Sequence, residues 1–172
     1  MRRVIKVLVL TAAVAAVNLP AAARAETYFN PFAGFTLAGE GSPKKGLRTF
    51  GAAVGDTGSM AGFEVNFGYT PDYSEAGGDQ KVIDLMAGLT AGPEIGGDIG
   101  VRPYVAGGVG LLRTGSGDNA DNNFGFNVGG GVFVHLSEKF GLRGDVRYFR
   151  GLNGDDLLDF NFTRAQIGIV IR

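Results

Sequence analysis

The chain has 172 residues, 30 glycines, no cysteine and no tryptophan, with a formal net charge of −1. That composition excludes a disulfide-framed secreted domain, and the lack of any basic tract excludes a typical nucleic-acid binder. Mean hydropathy is slightly positive, at +0.11. After residue 25, however, no apolar run is long enough for a membrane helix, so the apolar residues must be dispersed.

The first 25 residues read as an export signal. Arg2, Arg3 and Lys6 form a basic start, Val7 to Val17 is apolar, and Ala23-Arg24-Ala25 is an A-x-A cleavage site just after Pro20. The apolar run is too short to span a bilayer as a helix. The expected mature domain is 26–172, with all 30 glycines and twelve basic against seventeen acidic side chains.

From there the chain alternates. Strands are expected at 27–38, 47–55, 60–70, 80–91, 99–112, 122–135, 139–150 and 159–172. Alternate strand residues point to opposite faces. In the third, Ala61, Phe63, Val65, Phe67 and Tyr69 oppose Gly62, Glu64, Asn66 and Gly68. In the fourth, Ile83, Leu85, Ala87 and Leu89 oppose Asp84, Met86, Gly88 and Thr90, and in the fifth Val101, Val105, Val109 and Leu111 oppose Arg102, Ala106, Gly108 and Gly110. The sixth and seventh form a hairpin. Phe124, Phe126, Val128, Val132 and Val134, then Phe140, Leu142, Val146 and Tyr148, lie on one face, opposite Asn123, Asn127, Arg143, Asp145 and Arg147. In the last, Ala165, Ile167, Ile169 and Ile171 oppose Arg164, Gln166 and Gly168. The first strand has no single phase, because Phe29, Phe32 and Phe35 do not share a face, and Pro31 and Pro103 call for a bulge or a frayed start.

Most of these strands are longer than the five or so residues usual in soluble sheets and match what a tilted membrane strand requires. The connections alternate too. GEGSPKKG, PDYSEAGGD, RTGSGDNAD and GLNGDDLL follow the odd strands; DTGS, GPEIGGD and LSE follow the even ones. An even strand count with long loops on one side and shorter turns on the other is the pattern of a bacterial outer-membrane barrel.

The polar face decides which side is inside. A water-facing wall would favour lysine, glutamate and threonine. This face instead carries glycines with single mid-strand charges: Glu64, Asp84 and Asp145 against Arg102, Arg143, Arg147 and Arg164. Arginine forks onto carboxylates and suits enclosed pairs. The other face has no mid-strand charge, as lipid requires. The expected fold is an all-β, eight-stranded antiparallel up-and-down transmembrane β-barrel with these seven charges in its lumen.

The segments FEVNFGYTPDY at 63–73, VRPYVAGGVGLLR at 101–113 and GFNVGGGVFVHLSEKFGLRGDVRYF at 125–149 resemble the OmpA/OmpX-type superfamily of small outer-membrane β-barrels. The likeness extends over the mature chain. It implies export to the outer membrane, lipid and lipopolysaccharide as surroundings, the barrel-assembly machinery and periplasmic chaperones as partners, and a monomer. It does not imply an activity. Such barrels commonly end in an aromatic residue, whereas this chain ends Ile169-Val170-Ile171-Arg172.

Three roles are open for such a barrel. The seven lumen charges suit a plug of interlocked ion pairs, because an eight-stranded lumen is narrow; the same residues suit a small pore for ions or polar solutes. A remote third role is lipid A hydrolysis. His135 and Ser137, two apart on a strand, resemble the pair of outer-membrane lipid A deacylases, but they fall on the tight LSEK turn, away from the outer leaflet. The expectation is no enzyme, no catalytic residue and no cofactor. Asp72, Glu75, Asp79, Asp118, Asp121, Asp155 and Asp156 in the outer loops lack a calcium-loop pattern, so no metal is expected either.

Overall fold

The structure, a computed structural model, describes residues 26–38, 48–58, 60–71, 81–96, 100–116, 119–152 and 161–172. It contains β1 (Thr27–Ala38), β2 (Arg48–Asp56), β3 (Ala61–Thr70), β4 (Lys81–Ala91), β5 (Val101–Ser116), β6 (Asn119–His135), β7 (Phe140–Gly151) and β8 (Asn161–Ile171). Each strand pairs antiparallel with its sequence neighbours, and β1 pairs with β8 to close the barrel. Closure leaves no sheet edge, so the ladder itself satisfies the backbone groups that lipid cannot.

The alternation sets the two surfaces. Phe35, Phe50, Phe67, Leu89, Val105, Val128, Val146 and Ile167 are among the exposed outward side chains. Glu64, Asp84, Arg102, Arg143, Asp145, Arg147 and Arg164 are all buried in the lumen. β1 now has a phase: Phe29 and Phe35 point out while Phe32 points in with Tyr28, Asn30 and Thr36.

Neither proline needs a bulge. Pro31 pairs with Ala52 on the β2 side, and the bridge partners with β8 step from Phe29↔Ile171 to Phe32↔Gly168, so the missing donor falls at a gap in that ladder. Pro103 pairs with Val132 on β6, and on its other side the β4 ladder ends at Ala91↔Val105. The one register shift in the β1–β8 seam lies elsewhere, between Thr36 and Ala38.

One connection departs from expectation. The composition of RTGSGDNAD predicts a loop, but the ladder runs on through Thr114↔Asp121, Gly115↔Ala120 and Ser116↔Asn119. Backbone pairing continues where the side chains no longer match a membrane face. Gly115 makes this possible, with a φ of 124° that a side chain would resist. The segments 39–47, 72–80 and 153–160 lie outside the described residues, as do the loop acids Asp72, Glu75, Asp79, Asp118, Asp155 and Asp156. At the other end, Asp56 ties the β2–β3 turn by accepting the Gly58 N–H at 2.7 Å.

Candidate functional site: the lumen

Each lumen charge arrives on an inward position of its strand. Glu64 comes from β3, Asp84 from β4, Arg102 from β5, Arg143, Asp145 and Arg147 from β7, and Arg164 from β8. The structure gathers six of the seven into two stations and sends the seventh elsewhere.

The lower station lies toward the short turns. Arg143 donates from Nη1 to Glu64 and from Nε to Asp145 at 3.0 Å. Arg147 meets the other oxygen of each acid, Glu64 Oε1 at 2.7 Å and Asp145 Oδ1 at 3.2 Å. Two acids and two arginines thus form a closed, neutral square. Tyr28 donates its hydroxyl to Glu64 at 2.6 Å, and Tyr104 donates to Asp145 at 2.5 Å. The Arg143 guanidinium lies 4.8 Å from the Phe133 ring centroid and 5.0 Å from that of Tyr104, within cation–π range. Such enclosure limits solvent access, and the charges survive it because they are paired and hydrogen-bonded.

The upper station is simpler. Arg164 meets Asp84 with both terminal nitrogens, at 2.7 and 3.3 Å, and its Nη2 also donates to Asn66 at 3.1 Å. Phe149 lies 4.5 Å from the guanidinium carbon and stacks on Phe162 at 4.6 Å. Val82, Met86 and Leu112 complete an apolar collar around these rings. Gly68 leaves room for this pair, since a Cβ at that position would force the Asp84 carboxylate and the Arg164 guanidinium to shift.

Arg102 joins neither station. Its Nη1 donates to the carbonyls of Thr57 and Gly58 at 2.6 and 2.8 Å, tying the β2–β3 turn to the lumen mouth. This accounts for the fourth arginine against three acids: the odd cation is bound by backbone dipoles.

Sequence reasoning missed the lumen's apolar share. Tyr28, Phe32, Tyr104, Phe133, Phe149, Phe162 and Val170 are buried there. The signal was present, because each shares parity with a lumen charge or glycine on its own strand. A cavity of about 10 Å³ remains beside Glu64, Arg147, Asn127 and Met86, room for about one water molecule.

At the short-turn rim, His135 is held between two partners. Its Nδ1 lies 3.1 Å from Glu94 Oε1, and its Nε2 faces the Arg172 guanidinium. The Ser137 hydroxyl accepts the Phe140 N–H at 3.1 Å and closes the turn. The imidazole nitrogen that a nucleophile would use is therefore directed at a cation.

This geometry has relatives. Neisserial surface protein A superposes with a TM-score of 0.64 at 17% identity, covering 86% of this chain and 98% of that one. The N-terminal beta-barrel domain of Pseudomonas aeruginosa OprF gives 0.61 at 14%, with the same coverages of 86% and 98%. Ail, the attachment invasion locus protein of Yersinia pestis, solved with the heparin analogue sucrose octasulfate, gives 0.55 at 16%, again covering 86% and 98%. At these identities the likeness is one of fold. No curated protein matches by sequence. Residues 8–172 match the family described as outer membrane protein beta-barrel domain, and the chain belongs to that family.

Proposed function

We propose that this protein is a non-enzymatic, monomeric outer-membrane barrel whose lumen is closed by its ion-pair stations, and that it serves envelope structure or surface interaction. The observation that carries this reading is the stack of two neutral charge stations with their aromatic rings across a narrow lumen. Opening a path would mean separating buried pairs, and a broken buried pair costs about 3–5 kcal/mol. The reading takes 1–25 as a cleaved export signal, lipid and lipopolysaccharide as the surroundings, and the barrel-assembly machinery with periplasmic chaperones as the route in. The surface and attachment proteins among the structural relatives are compatible with it. Liposome swelling tests it. Proteoliposomes should exclude small sugars as well as empty vesicles do, and rapid swelling would refute closure.

A second reading, a small pore, has one observation in its favour. Asn30 Oδ1, Thr36 Oγ1, Arg164 Nε and both polar atoms of the Gln166 amide are buried without a hydrogen-bond partner among the described residues. They line the β1–β8 side of the lumen, a polar strip that could carry water or an ion. Replacing Gln166 with Leu would lower any residual ion flux if that strip conducts, and would leave flux unchanged if the lumen is closed.

A further inference from the structure

The outward face changes character abruptly at one end of the barrel. From Val101 to Leu111 the outward residues of β5 are Val, Pro, Val, Gly, Val and Leu. At about 3.4 Å per residue and a tilt of about 40°, that run rises about 25 Å, the height of an outer-membrane apolar band. Its last row is apolar across four strands: Phe67, Leu85, Leu111 and Phe124 pair in sequence. The next row is Tyr69, Ile83, Arg113 and Asn122. Lys81 stands two residues beyond Ile83 on β4, so it is the diagonal neighbour of Arg113 on the same face. Such neighbours are about 7–8 Å apart, within reach for long side chains.

Two facts set this pair apart from an ordinary solvated rim. Lys81, Arg113 and Asn122 are exposed, and neither cation has an ion-pair partner among the residues whose side chains are described. The charged side chains on the described barrel wall also differ between the two ends; the acids Asp72, Glu75, Asp79, Asp118, Asp155 and Asp156 of the long connections lie outside it. Among residues whose side chains are described, the outward charges at the long-connection end are Arg48, Lys81, Arg113 and Arg150, while the short-turn end carries Glu26, Asp56, Glu94 and Glu138 together with Lys139 and Arg172. The long-connection end of such a barrel faces the outer leaflet.

We infer that Lys81 and Arg113, with the Asn122 amide, form a docking site for the phosphate of a phosphorylated glycolipid of the outer leaflet. The acyl chains would lie on the row Phe67, Leu85, Leu111 and Phe124 beneath it. Arginine offers a fork to phosphate oxygens, lysine adds a point charge, and both can extend past the apolar band while their stems stay in it. The site rests on the outer-membrane reading above.

Native mass spectrometry of the detergent-purified barrel tests it, with bis-phosphorylated and dephosphorylated lipid A as probes. Heat-modifiable gel mobility first establishes that each sample is folded. Wild type should retain the phosphorylated lipid preferentially. The double variant Lys81→Gln/Arg113→Gln should retain it about tenfold less, with the dephosphorylated lipid unaffected. Lys139→Gln, at the other end, should behave as wild type. If the double variant does not fold, each single variant should show a smaller loss in the same direction. Equal retention by folded wild type and variant overturns the site while leaving the barrel reading intact. Capture of a soluble sulfated polysaccharide with no preference for phosphorylated lipid also overturns it. A wild type that never becomes heat-modifiable overturns both.

Discussion

The two stations of the lumen neutralise buried charge in different ways. In the lower one, Glu64 and Asp145 each contact both Arg143 and Arg147, so either acid keeps a cation when one arginine is lost. In the upper one, Asp84 has Arg164 alone as its ion-pair partner among the described residues. A shared square has reserve; an isolated fork has none. Stability should therefore depend more steeply on the pair that looks simpler.

The largest effect expected is that of Arg164→Met. It strands a fully buried carboxylate and should cost about 3–5 kcal/mol, read as a lower urea midpoint for loss of the heat-modifiable band. Arg147→Met should cost less, about 1.5–3 kcal/mol, because Arg143 still serves both acids. A larger loss from Arg147 than from Arg164 would break the comparison. Removing both upper charges, Asp84→Leu with Arg164→Met, should bring the midpoint back to within about 1 kcal/mol of wild type, since apolar replacement of a buried pair is often neutral or better. A double variant as weak as Arg164→Met alone would mean that the arginine's stacking on Phe149, rather than its charge, is what matters. Smallest of all, Ser137→Ala should leave lipid A mass spectra unchanged and shift stability by less than about 1 kcal/mol. Altered acylation would restore the hydrolase reading.

Strand parity makes most of this architecture legible in the sequence. The split between Arg143, Asp145, Arg147 and Leu142, Val146, Tyr148 on β7 determines both surfaces at once, because a period of two leaves no third option. Which acid meets which arginine was not legible. Glu64 and Arg143 are 79 residues apart, and their meeting depends on the stagger that accumulates around the closed sheet. The aromatic share of the lumen was missed for another reason: rings look like lipid-facing residues until their parity is followed, as at Tyr104 between Arg102 and Ala106. The long β5–β6 ladder escaped because GSGDNA has turn composition, and composition does not reveal that pairing persists beyond the membrane.

Closure of the lumen is the central claim, and single-channel recording in a planar bilayer tests it most directly. Wild type should insert without a stable open current. Arg143→Gly with Glu64→Gly, which empties part of the lower square, should produce one. A steady conductance from wild type, unchanged by that double substitution, would contradict the plug.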